Sequence, residues 1–154
     1  MRLFLLEPEV AGGLGNHTIF DKKKSPVEVV FLNYEFSGWL GDELLETNPC
    51  FIVTEALAST LLKSGLSGLR FETVEITVNE EFKDFHPDTI LPNFKRLIPL
   101  GNVLVDGNNF SKWSGHDFSL SQKSNLIATL KALEVLRKHL INYCDITVLE
   151  EILD

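Results

Sequence analysis

The chain predicts an α+β fold: one domain spanning residues 1–154, with a mixed or antiparallel sheet packed against two main helices and a strand-helix-strand pseudo-repeat. Three observations lead there. The chain has 154 residues and 44% apolar content, enough to bury roughly two thirds of its unfolded surface around one core. Short apolar strand candidates alternate with two amphipathic helical stripes, which points to a mixed α+β domain. Finally, residues 51–75 (FIVTEALASTLLKSGLSGLRFETVE) can be laid over residues 126–150 (LIATLKALEVLRKHLINYCDITVLE) without a gap.

From the N-terminus, residues 3–6 form a strand ended near Pro8, and the glycines at 12, 13 and 15 make a flexible turn. These glycines spell no phosphate loop, because neither GxGxxG nor GxxxxGK[ST] is present and no helical pattern follows. Residues 17–20 are a second, edge strand, and Lys22-Lys23-Lys24-Ser25-Pro26 is a solvated turn. Val27, Val29, Val30, Phe31 and Leu32 are apolar on both parities, which predicts a central strand covered on both faces. Tyr34, Phe36, Trp39 and Leu40 then cluster around Gly38 and Gly41.

In the first copy of the repeat, Pro49 precedes a strand at 50–53, Thr54 caps a helix over 55–64, and Gly65 stops it. Leu57, Ala58, Leu61 and Leu62 make its stripe. Leu69 and Phe71 lie on one strand parity and Val74, Ile76 and Val78 on the other, which predicts a bulge near Thr73. Further on, strands at 97–98 and 103–105 flank a hairpin turn at Gly101-Asn102, and residues 106–117 read as a polar loop. In the second copy, Leu126 and Ile127 lead to the cap Thr129, a helix with its stripe on Leu133, Leu136 and Leu140, and a closing strand through Ile146, Val148 and Leu149. Five of the 25 aligned positions are identical, Thr54/Thr129 and Leu61/Leu136 among them. Since any two strand-helix units share such patterning, identity at this level does not prove duplication.

The net charge of −8 is unevenly spread. Residues 39–91 hold ten acids against three bases, whereas residues 92–154 hold seven of each. Such a field repels nucleic acid and speeds encounter with a basic partner. The four apolar residues 3–6 are too few for a signal-peptide core, and no run reaches membrane-spanning length. The expectation is a soluble, cytoplasmic protein whose Cys50 and Cys144 stay reduced. His17, His86, His116 and His139 share no metal-ligand spacing, so no metal or cofactor is expected. Ser114-Gly115-His116-Asp117 gathers hydrolytic residue types, but triad members usually come from separate elements, and no GxSxG elbow is present. A small cytoplasmic hydrolase using the His116/Asp117 loop, or a structural or adaptor domain, stand as alternatives to a non-enzymatic binding protein.

Phe51-Ile-Val-Thr-Glu-Ala-Leu-Ala, followed by Ser64-Gly-Leu-Ser-Gly-Leu-Arg-Phe-Glu-Thr-Val74, resembles a segment of immunity proteins from bacterial polymorphic-toxin and contact-dependent inhibition systems. The second copy lacks the glycine pair, with Leu140 and Tyr143 in place of Gly65 and Gly68. The resemblance implies a non-enzymatic protein that binds a cognate toxin domain and occludes its active surface. An acidic inhibitor suits a toxin with a basic, nuclease-like groove. On that reading Asp42, Glu43, Glu46, Glu80, Glu81 and Asp84 supply the complementary charge, and Trp39 or Trp113 the apolar anchor.

Overall fold

The computed structural model describes residues 1–152. The chain opens with β1 (Arg2–Glu7), β2 (Gly12–Leu14), β3 (Ile19–Asp21), β4 (Glu28–Phe31) and β5 (Asn33–Phe36). Next come β6 (Leu44–Thr47) and β7 (Cys50–Thr54), which run into α1 (Glu55–Lys63). Beyond it lie β8 (Leu69–Glu72), β9 (Glu75–Val78), α2 (Glu80–Phe85), β10 (Phe94–Pro99), β11 (Gly101–Asp106) and β12 (Asn109–Ser111). The last elements are β13 (Phe118–Ser121), β14 (Leu126–Ala128), α3 (Leu130–Leu136) and β15 (Asp145–Glu151).

The class is α+β, but the arrangement is not two main helices on one sheet. Six strands close into a barrel in the order β1-β14-β13-β11-β12-β15, beside an open sheet β6-β7-β10-β8, a small sheet β2-β5-β9 and the hairpin β3-β4. The β11-β12 hairpin causes closure, because β11 pairs parallel with β13 while β12 pairs parallel with β15, leaving that sheet no free edge.

Strand register gives the pseudo-repeat a structural form. In the open sheet, β10 lies between β7 and β8, with Arg96 opposite Ile52 and Glu72. In the barrel, β1 lies between β14 and β15, with Leu5 opposite Ile127 and Thr147. Ile52/Ile127 and Glu72/Thr147 are each 75 residues apart, as are the caps Thr54 and Thr129. Each half therefore completes its sheet with the other half's leading strand, β1 going to the second and β10 to the first.

The shared core follows the same pairing. It buries Leu6 with Leu97, Phe51 with Leu126, Val53 with Ala128, Leu57 with Ala132, Ala58 with Leu133, and Leu61 with Leu136. A second cluster fills the first half around Tyr34, Phe36, Ile52, Phe82 and Phe94, and a third fills the barrel with Leu3, Val103, Phe110, Ile127 and Leu149.

Several local expectations are corrected. Gly12 and Gly13 belong to a strand, since β2 pairs with β5 so closely that a Cβ at Gly12 would collide with the Glu35 carbonyl. Residues 27–32 are not a central strand: Val27 and Val30 are exposed on the β3-β4 hairpin, and β5 is the buried strand. The parity change at Thr73 marks a change of sheet rather than a bulge, β8 pairing with β10 and β9 with β5. Gly101-Asn102 turns no hairpin, because β10 and β11 go to different sheets; the turn is Gly107-Asn108, between β11 and β12. Finally, α3 ends at Leu136, which leaves Leu140 exposed and gives the buried place to Ile141.

Candidate functional site

Two carboxylates occupy equivalent places just before β6 and β13. Glu43 Oε1 accepts from the hydroxyl of the helix cap Thr54 at 2.7 Å, and Asp117 Oδ1 accepts from the cap Thr129 at 2.7 Å. Each then reaches into the other half: Glu43 Oε2 accepts from the Leu140 amide at 2.9 Å, and Asp117 Oδ2 from the Ser67 amide at 2.9 Å. Burial alone would raise the Glu43 carboxyl, but bonds from Leu140, Thr54 and His139 hold it below its ordinary range. Burial likewise opposes Asp117, and bonds from Ser67 and Thr129, with Lys131 nearby, hold it down.

Glu43 is one of the acids expected to meet a partner, and its neighbour Asp42 is engaged in the same way. Asp42 is only 1% exposed, and its carboxylate accepts from the Asn142 and Tyr143 amides at 3.0 and 2.7 Å. Glu46 is half-buried, its carboxyl raised by burial and then by neighbouring Glu7. Glu9, 6% exposed, anchors the same loop from below by accepting from the amides of Leu40 and Asp42. Burial raises the carboxyls of both Glu9 and Asp42 against these stabilising bonds.

Thr60 Oγ1, His139 Nε2 and Nδ1, and Glu43 Oε1 stand in line at 2.8 and 3.1 Å, the residue order of an acyl-transfer relay. The hydroxyl sits inside α1 and donates to the Ala56 carbonyl at 3.2 Å, as helical hydroxyls do. With the imidazole reaching α1 from the segment after α3, the array ties the two halves together. The His116/Asp117 loop is spent differently: His116 is exposed, its carbonyl accepts from Trp113 Nε1 at 3.0 Å, and Asp117 is the brace already described. Among the described residues, no group of three His, Cys, Asp or Glu side chains is placed to hold a metal ion, and no helix is long and apolar enough to cross a membrane.

Glu80, Glu81 and Asp84 are all exposed on α2. This helix is capped by Asn79, whose side chain accepts from the Phe82 amide at 2.9 Å, and Phe82 pins it to the core. Phe85 (75% exposed) ends it and Ile90 (91%) projects from the segment that follows, with Asp88 between them. A cleft of about 310 Å³ runs between Phe82, His86 and Leu91; another of about 430 Å³ continues from Leu91 past Val74, Ile76 and Glu55. A third, about 320 Å³, shares Glu55, Pro92 and Asn93 and ends at Trp39 and Leu140. Trp39 thus lies at the far end of a trough that begins at α2. Its ring meets Phe94 edge-on at 6.3 Å, and its Nε1 donates to the Asp42 carbonyl at 2.9 Å. Trp113 is placed elsewhere, packed against the barrel cluster.

Residue reasoning missed α2, Phe85 and Ile90. The available signal was Asn79 followed by two acids, a capped first turn, with Phe82 as the one core contact. No family model, curated protein or solved structure matches the chain.

Proposed function

We propose that the protein is a non-enzymatic inhibitor that binds a cognate toxin domain and covers its active surface, with α2 and the segment behind it forming the contact. One observation carries the reading: Glu80, Glu81 and Asp84 stand exposed on one short helix beside the exposed apolar side chains Phe85 and Ile90. Between residues 72 and 91 there are six acids and one lysine. Glu72, Glu75 and Glu80 are paired with Arg70, His17 and Lys83, which leaves Glu81, Asp84 and Asp88 without an ion-pair partner among the described residues. Such a face offers charge to a basic groove and apolar side chains to a central contact.

The occupant is a basic toxin domain of nuclease type, met in the cytoplasm where such a toxin would act. Occlusion needs shape and charge from the inhibitor and no catalytic group. Trp39 adds an apolar contact at the other end of the trough, whereas Asp42 and Glu43 serve the reading by holding that loop in place. The test is isothermal titration of the full chain with a basic nuclease-type toxin domain taken from a neighbouring gene. E81K/D84K/D88K and F85S/I90S should each weaken binding by at least a hundredfold and abolish protection in a growth assay, with the thermal transition unchanged. Wild-type affinity in both variants would sink the proposal.

A further inference from the structure

The two halves differ most on the sheet face turned away from the helices. In the second half that face lines the barrel, where Leu5 packs with Val103, Phe110, Ile127 and Leu149. The place equivalent to Leu5 in the first half holds Arg96, and those equivalent to Asp145 and Thr147 hold Arg70 and Glu72. No barrel closes over this face. It forms the floor of a cavity of about 590 Å³ roofed by the β3-β4 hairpin, with apolar walls from Val27, Val29, Ile98, Pro99 and Leu120.

The charges in the cavity do not cancel. Lys24 is taken by Glu28 at 3.1 Å and Arg70 by Glu72 at 3.1 Å, although Glu72 stands opposite Arg96 in the register. Arg96 has no carboxylate partner among the described residues. Its Nη1 donates to the Val29 carbonyl at 2.9 Å, and its Nε is buried without a hydrogen-bond partner. The Cys50 thiol lies beside the guanidinium and is a weak, uncharged acceptor for it. A guanidinium in a core-equivalent place, lining a cavity with no carboxylate to balance its charge, calls for an anion from outside the chain.

We propose that this cavity binds a small anion whose carboxylate or phosphate head pairs with Arg96 and whose apolar body lies against Val29, Ile98 and Leu120. The site is separate from the acidic α2 face and stands or falls independently of it. Amide NMR on the full ¹⁵N-labelled chain tests it, with benzoate, phenyl phosphate and benzylamine as probes. Benzoate or phenyl phosphate should shift the amides of Val29, Arg96, Ile98 and Leu120 saturably, the tighter of the two identifying the head group, while benzylamine leaves them unmoved. R96Q keeps an N–H for the Val29 carbonyl and should weaken binding at least tenfold, with R96K intermediate. L120W fills the cavity with Arg96 intact and should also abolish binding, so the outcome does not hang on one variant. The proposal is overturned by anion shifts confined to Lys22 and Lys23, by no saturable shift with either anion, or by wild-type binding in R96Q and L120W.

Discussion

Glu43 and Asp117 sit where a single proton changes both a helix cap and a contact between halves. Their folded-state pKa values lie below the unfolded values of 4.5 and 3.8. The stability they contribute is therefore complete above those values and is lost as pH falls through the lower folded ones. Glu9, Asp42 and Glu46 act in the opposite sense: burial raises them, so their charged forms burden the fold at neutral pH and protonation relieves it. E43Q should cost about 1–3 kcal/mol at pH 7, and its deficit against wild type should shrink below pH 4.5. An equal deficit at pH 7 and pH 3.5 in thermal melts would show that the charge is not what holds Leu140 and Thr54. T129V removes a cap and a carboxylate bond together, and chemical denaturation should show a loss of about 1–2 kcal/mol.

At the level of elements, α2 has the smallest hold on the rest. One buried side chain, Phe82, and one cap, Asn79, keep six residues helical. F82A should cost about 3–5 kcal/mol and remove hydrogen-exchange protection from α2. N79A should cost about 1 kcal/mol and raise exchange there while leaving β7 and β10 protected. How well each element could be read from sequence follows from the range of the forces that make it. Thr54 and Thr129 were recognisable as caps because capping is decided within three residues, and Leu57, Leu61, Leu133 and Leu136 because a stripe is local. The separation of β10 from β11 was hidden, because a Cβ on Gly101 would meet Ser119 and His116, neighbours distant in sequence. Among the candidate contact residues, Glu80, Glu81 and Asp84 are as open as their charge suggests. Asp42 and Glu43 look the same in sequence, yet amides from residues 140–143 claim them.

For the whole molecule, the exchange of β1 and β10 makes each half incomplete alone. Deleting residues 1–7 would strip β14 and β15 of their shared neighbour, so circular dichroism should show loss of the single cooperative transition rather than a modestly lowered midpoint. The paired core predicts comparable costs for L61A and L136A, about 2–5 kcal/mol each. Both side chains lie in one cluster, so the double variant should depart from additivity by about 0.5–3 kcal/mol. Strictly additive values would mean that the halves stabilise themselves separately.

The place of β1 also bears on timing. It leaves the ribosome before the other elements of this fold, yet both strands that flank it, β14 and β15, are among the last of them. At translation rates of about 5–20 residues per second, β1 waits on the order of ten seconds for its partners. During that wait its Leu3 and Leu6, fully buried in the finished fold, have no native cover. The barrel can then form only after synthesis has passed residue 151, as a late step dominated by distant contacts. A chain stalled before that point would carry α1 and most of the first half but no closed barrel.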